Sequence, residues 1–217
     1  MVKLKVCGMK YRENIEELSR LLPDYMGFIF YPKSKRYFDG VIPQLPQAIK
    51  RTGVFVNEDP DQIVGISAKY KLDALQLHGV ESVEYIEELK EKLGARPEKK
   101  VEIIKAFAVG DIFEFEQLYP YQTWIDYFLF DTKGKDKGGN GISFDWNILK
   151  GYELNTPYFL SGGIGMESID QMKDFLSRPS ANYCHVLDLN SKFEETPGLK
   201  NIRLIEAFKK ELNALKL

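Results

Sequence analysis

Eight short runs rich in β-branched and aromatic residues recur along the chain, and a stretch of different periodicity follows each. The runs are residues 2–7 (VKLKVC), 26–30 (MGFIF), 53–56 (GVFV), 73–77 (DALQL), 102–107 (EIIKAF), 126–131 (DYFLFD), 157–160 (PYFL) and 183–188 (YCHVLD). Between them apolar residues take helical spacing. Val83, Ile86, Leu89 and Leu93 form one stripe, and Ile202, Ile205, Phe208, Leu212 and Leu215 form another. Strands alternating with amphipathic helices indicate repeated βα units and a parallel sheet, with the helical stripes packed on its outer face. Eight such units within 217 residues predict a compact (β/α)8 TIM barrel, one α/β domain over residues 1–217. A doubly wound open sheet is the alternative. Helices are expected near 43–50, where two prolines weaken the pattern, and as a turn or two near 145–150.

Charge narrows the partners. Thirty Lys and Arg against 32 Asp and Glu give a net charge of −2, so no global basic field exists to hold nucleic acid or an anionic membrane. An anionic ligand would have to be bound locally. Two cysteines and two histidines cannot supply a disulfide framework or an all-nitrogen metal site, and no pair of them has ligand spacing. No metal is expected, and neither a Walker A sequence nor a dinucleotide fingerprint is found. The opening MVKLKVCGMK lacks a signal-peptide core, and no run of 18 apolar residues occurs, so a reducing cytoplasm is the expected compartment.

In a barrel, chemistry gathers where strands end. The first run closes on Cys7 and Gly8, which would set a thiol at the barrel mouth; a space-filling buried thiol is the plainer reading. The sixth closes on Asp131, either a turn cap or a proton donor. Together the two could form an acid–base pair across a small lumen. Strand alternation puts Gln76 and His78 on one face, toward the lumen, as substrate contacts or as structural polar residues. The loop Tyr31–Tyr37 is basic and aromatic, and its Arg36 could grip a carboxylate through paired hydrogen bonds or simply be solvated. His185, Cys184, Trp124 and Trp146 read as packing.

Three loops suit an anion. Gly138-Gly139-Asn140-Gly141 follows the sixth run, Ser161-Gly162-Gly163-Ile164-Gly165 the seventh, and Asn190-Ser191-Lys192 the eighth. Glycines let backbone N–H groups approach an anion without Cβ obstruction, and barrels commonly hold phosphate after their last two strands.

The segments KVCGMK, GFIFYPKSKRY, GVFVNE, LQLHG, FDTKGKDKGGNG, LSGGIG and DLNSKFEETPGLK, spread over nearly the whole chain, resemble the phosphoribosylanthranilate isomerase family of tryptophan biosynthesis. The resemblance implies an Amadori rearrangement without a cofactor, in which N-(5-phosphoribosyl)anthranilate becomes 1-(2-carboxyphenylamino)-1-deoxyribulose 5-phosphate. It places the general base on Cys7, the general acid on Asp131 and the anthranilate carboxylate at Arg36. Gly139, Gly141, Gly162, Gly163, Asn190 and Ser191 fall in its phosphate loops, while Asp188 and Glu194 match motif positions of open role. The implied partner is a phosphorylated small molecule, bound by a monomer or homodimer. Met9, Asn140, Asn190 and Lys192 depart from the residues usual in the family and bear on phosphate geometry. The related histidine-pathway isomerase, with two aspartates at the key strand ends, is a rival that Cys7 disfavours. A phosphate-binding barrel without catalysis is the rival from another class.

Alternation also places Lys5 on the same face as Cys7, roughly 7 Å away on strand geometry. An ammonium there would favour a thiolate by about 2 kcal/mol at an effective dielectric near 20, unless an acid in the lumen pairs with it.

Overall fold

The computed structural model describes residues 2–94, 100–133 and 144–215. Eight parallel strands close into a barrel in chain order: β1 (Lys3–Val6), β2 (Tyr25–Ile29), β3 (Lys50–Phe55), β4 (Ala74–Leu77), β5 (Glu102–Val109), β6 (Tyr127–Thr132), β7 (Tyr158–Leu160) and β8 (Cys184–Leu189). Closure is made by β1 against β8, in the register Lys3↔Val186, Lys5↔Asp188 and Val6↔Leu189. The open-sheet alternative is thereby excluded. Among the described residues five α-helices surround the strands: α1 (Arg12–Ser19), α2 (Pro60–Tyr70), α3 (Val83–Gly94), α4 (Ile169–Leu176) and α5 (Ile202–Ala214).

Local chemistry sets these helices. Asp59 caps α2 by accepting from the Asp61 and Gln62 amides, Pro60 follows at the first helical position, and Lys71 closes the helix in the left-handed region at φ 53°. Asn201 caps α5 through the Leu204 amide at 3.0 Å. The α3 and α5 stripes bury Ile86 and Leu89, and Ile205, Phe208 and Leu212, as their spacing predicts.

No helix forms at 43–50. Residues 41–46 run irregularly into a turn, because Pro43 and Pro46 remove the amides a helix would need. Side chains fill part of that wall instead: Phe38 is buried against Phe28, with ring centroids 5.0 Å apart, and Tyr70 of α2 reaches Phe30, also at 5.0 Å. The short helix expected near 145–150 is a 3-10 helix at Trp146–Gly151, capped by Asp145.

Two cores result. The larger lies between strands and helices; the smaller fills the lumen with Tyr25, Ala74, Ile104, Ala106, Leu129, Phe159 and Val186. A bulge in β8 keeps that lumen in phase. Tyr158 pairs with Cys184 and Phe159 with Val186, so His185 is an extra residue that resets the alternation. Cys184 therefore stays in the outer core while Val186, and two residues later Asp188, point inward. His185 stacks on Tyr127 and meets Lys3 Nζ at 3.1 Å near the strands' N-terminal ends. Among the described residues no helix is long and apolar enough to cross a membrane.

Candidate active site

The C-terminal ends of β1, β4, β6 and β8 bring Lys5, Gln76, His78, Asp131 and Asp188 into one chain of contacts. Lys5 is wholly buried and donates to Asp188 Oδ2 at 2.7 Å and to Gln76 Oε1 at 2.6 Å. Gln76 Nε2 lies 2.7 Å from His78 Nδ1, and His78 Nε2 faces Asp131 Oδ2 at 3.4 Å. The inward orientation of Gln76 and His78 follows from alternation, as the sequence predicts.

Cys7 follows β1 directly, its amide held by the Leu189 carbonyl at 2.8 Å. The thiol is more enclosed than a residue at an open mouth, with only 4% of Cys7 exposed. Burial pushes its pKa up, while Lys5 and Lys200 pull it down and Asp188 adds to the rise; the net direction is upward. Both halves of the expectation for Lys5 are thus met: it points inward, and an acid pairs with it. Desolvation would lower the Lys5 pKa, but Asp188 and Cys7 outweigh it and hold the ammonium charged. Asp188 Oδ1 is buried and has no hydrogen-bond partner among the described residues.

Space for the sulfur comes from Gly27 on β2. A Cβ there would stand 2.7 Å from Cys7 Sγ and 3.0 Å from Cys7 Cα, so only glycine admits the thiol. Sequence reasoning passed over this residue, although the pairing of β1 with β2 would have set it beside Cys7. Asp131 likewise depends on a glycine. Its Oδ1 accepts from the Thr132 amide at 2.9 Å, and a Cβ on Gly162 would approach that oxygen to 3.0 Å and Thr132 Oγ1 to 2.2 Å.

Arg36 is not solvated. Its Nε donates to both oxygens of Glu194, at 2.8 and 3.0 Å, and Nη2 donates to Oε2 at 2.6 Å, while Nη1 takes no partner among the described residues. The acceptor stands in a short hairpin, β9 (Glu194–Thr196) and β10 (Leu199–Lys200), that follows β8. Glu194 Oε1 also accepts from Gly198 N at 3.0 Å and from Lys200 Nζ at 2.7 Å. Burial would raise the Glu194 pKa, yet Arg36 and Lys200 hold it below the usual carboxylate range. Lys200, buried and also bonded to Asn190 Oδ1 at 2.8 Å, has its pKa lowered to about 8 by desolvation against the pull of Glu194. This role for Lys200 had one sequence signal, its place as the last residue of the segment DLNSKFEETPGLK.

Gly162 and Gly163 both adopt positive φ, 91° and 68°, a pair of left-handed residues at the end of β7 that turns the chain before α4. Asn190 precedes a 3-10 turn at Ser191–Phe193 that starts directly after β8. Gly139 and Gly141 lie outside the described residues. Trp146 packs on Phe175, and Cys184 is buried, as the sequence reading has them.

A family model for N-(5'phosphoribosyl)anthranilate (PRA) isomerase matches residues 4–211. An N-(5'-phosphoribosyl)anthranilate isomerase of Parabacteroides distasonis is 40% identical over 212 residues, covering 94% of this chain and 90% of that protein. A solved phosphoribosyl anthranilate isomerase in complex with reduced 1-(o-carboxyphenylamino)-1-deoxyribulose 5-phosphate superposes with a TM-score of 0.77 at 30% identity, covering 99% of this chain and 100% of that one. Monomers generated from the dimeric enzyme of Thermotoga maritima give a TM-score of 0.76 at 29% identity over the same shares.

Proposed function

The chain belongs to the N-(5'-phosphoribosyl)anthranilate isomerase family, and on that footing we propose that Cys7 and Asp131 carry its Amadori rearrangement as general base and general acid. The reaction is an aldose–ketose isomerisation that supplies tryptophan biosynthesis. One observation supports this assignment above others: the thiol that follows β1 and the carboxyl of β6 share one rim of the barrel, where Lys5 acts on Cys7 by its charge and runs to Asp131 through Gln76 and His78.

Asp131 donates its proton to the ribose ring oxygen. The C1–O bond then breaks, and the anthranilate nitrogen's lone pair forms the C1=N bond of an iminium. Cys7 as thiolate takes the proton from C2, whose electrons close C1=C2 and neutralise the nitrogen. The enolamine tautomerises to the ketone. Burial makes Cys7 a strong base once ionised, and three cations favour that ionised form: Lys5 and Lys200 from the protein and the iminium from the substrate. The substrate thus contributes to activating its own base.

Arg36 takes the anthranilate carboxylate through Nη1, with Glu194 holding the guanidinium in place by its other edge. Backbone amides at Gly162, Gly163 and Ser191, with Asn190 and the glycines 139 and 141, receive the phosphate. Gln76 and His78 line the substrate side of β4. A dimeric relative and monomers generated from it support a monomer or a homodimer. The two buried unpaired cysteines suit the cytoplasm, and strands closing in chain order support one domain over 1–217.

The test is the loss of fluorescence when freshly made phosphoribosylanthranilate is added to the purified protein and to Cys7→Ala and Asp131→Ala. Each variant should lose about 10²- to 10⁴-fold in kcat, the range for removal of a positioned proton-transfer group. Full activity in either overturns its role.

A further inference from the structure

The contacts at the rim fix more than distances. An ammonium has only donors, so Lys5, at 2.6 Å, requires Gln76 to present its carbonyl oxygen. Gln76 then turns its NH2 toward His78 Nδ1 at 2.7 Å. An amide NH2 also has only donors, so Nδ1 must offer a lone pair. The single proton of the neutral ring is left on Nε2, the nitrogen facing Asp131 Oδ2 at 3.4 Å.

We propose that Gln76 is a positioning residue that locks His78 as its Nε2–H tautomer, so that the ring cannot take from Asp131 the proton the substrate needs. The inference rests on Asp131 being the general acid. The opposite tautomer would aim a bare Nε2 lone pair at a protonated carboxyl. Imidazole is the stronger base by about two and a half pKa units in reference compounds, so that arrangement would collapse to an imidazolium–carboxylate pair and disarm the acid. The doubly protonated ring is opposed as well. It would need Gln76 to flip and press its NH2 against the Lys5 ammonium, which Asp188 holds charged from the other side at 2.7 Å. With the lock in place, the Nε2 proton faces the carboxylate that remains after proton delivery and stabilises it. Lys5 therefore serves both partners: its charge acts directly on Cys7, and its hydrogen-bond polarity reaches Asp131 through Gln76 and His78.

The chain holds two histidines, so a long-range ¹H–¹⁵N spectrum of the labelled full-length protein can assign every ring nitrogen, with His185→Asn identifying the other set. In the unmodified protein His78 should show an unprotonated Nδ1 and a protonated Nε2. Gln76→Glu keeps the shape but accepts from both neighbours, so Nδ1 should become protonated. Its kcat should fall by about 10- to 100-fold with KM nearly constant, the scale seen when an outer-shell partner is changed. Should that variant fail to fold, Lys5→Met with Asp188→Asn frees the amide to flip, and a fraction of His78 should then carry its proton on Nδ1. A protonated Nδ1 in the unmodified protein, an unchanged pattern in both variants, or full turnover by Gln76→Glu would overturn the proposal. Absence of turnover by the unmodified protein, with the tautomer as described, would overturn the assignment of Asp131 and leave the lock itself standing.

Discussion

Two buried lysine–carboxylate pairs lie on opposite sides of the barrel wall and are finished very differently. Outside it, Lys105 of β5 donates to Glu81 Oε2 and to the Gly79 carbonyl, both at 2.9 Å. Glu81 Oε1 takes the Asn57 and Gly79 amides at 2.8 and 3.0 Å, so both of its oxygens are occupied. Inside, Lys5 and Asp188 are equally buried, yet Asp188 Oδ1 has no partner among the described residues. The first pair secures the turn after β4 through backbone amides. The second leaves hydrogen-bonding capacity and charge unspent beside a thiol. Burial and ion pairing are alike in the two pairs; completeness of hydrogen bonding is what separates them.

Replacing each pair by apolar residues tests this contrast. Lys105→Met with Glu81→Leu strips acceptors from the Asn57 and Gly79 amides and should cost about 2–6 kcal/mol in urea unfolding, at roughly 1–3 kcal/mol for each orphaned donor. Turnover by the remaining folded protein should be unchanged. Lys5→Met with Asp188→Leu should leave stability level or raise it by about 1–4 kcal/mol, as apolar replacement of buried pairs often does, while kcat falls about 10- to 100-fold. Equal stability losses in the two double variants would break the comparison.

Lys200 sharpens it with pH. Its folded pKa of about 8 lies below the ordinary lysine value of 10.5, so the unfolded chain binds the extra proton between the two. Stability from this group therefore rises as pH climbs from about 8 to about 10.5, by at most about 3 kcal/mol. Lys200→Met should remove that rise from the difference between stability curves measured across the window. The smallest effect is on Cys7 itself. Its thiol should be alkylated by iodoacetamide more slowly than a free cysteine at pH 8, and more slowly still in Lys5→Met, as followed by intact mass.

Strand count and order were legible because each βα unit is written locally, in period-2 and period-3.6 patterns. Lys5 beside Cys7, and Gln76 with His78, followed from the same alternation, while Cys7 and Asp131 stood out as the residues that close their runs. Helix 43–50 misled because apolar spacing persisted through Pro43 and Pro46, and backbone amides decided the outcome. Partnerships were harder to foresee. Glu194 and Arg36 meet across a long sequence separation, and nothing near Arg36 announces its acceptor. The identity of the acid beside Lys5 was equally hidden, because it required closing β1 onto β8.

The bulge at His185 carries a consequence for how this barrel tolerates change. Because the surplus residue sits between Cys184 and Val186, deleting it would leave Val186 and Asp188 facing inward, whereas absorbing it into the regular ladder would turn Asp188 toward the helices and Leu187 into the lumen. Insertions elsewhere lengthen loops; at this point, a slip of one residue in the pairing of β8 would invert a whole wall of the barrel.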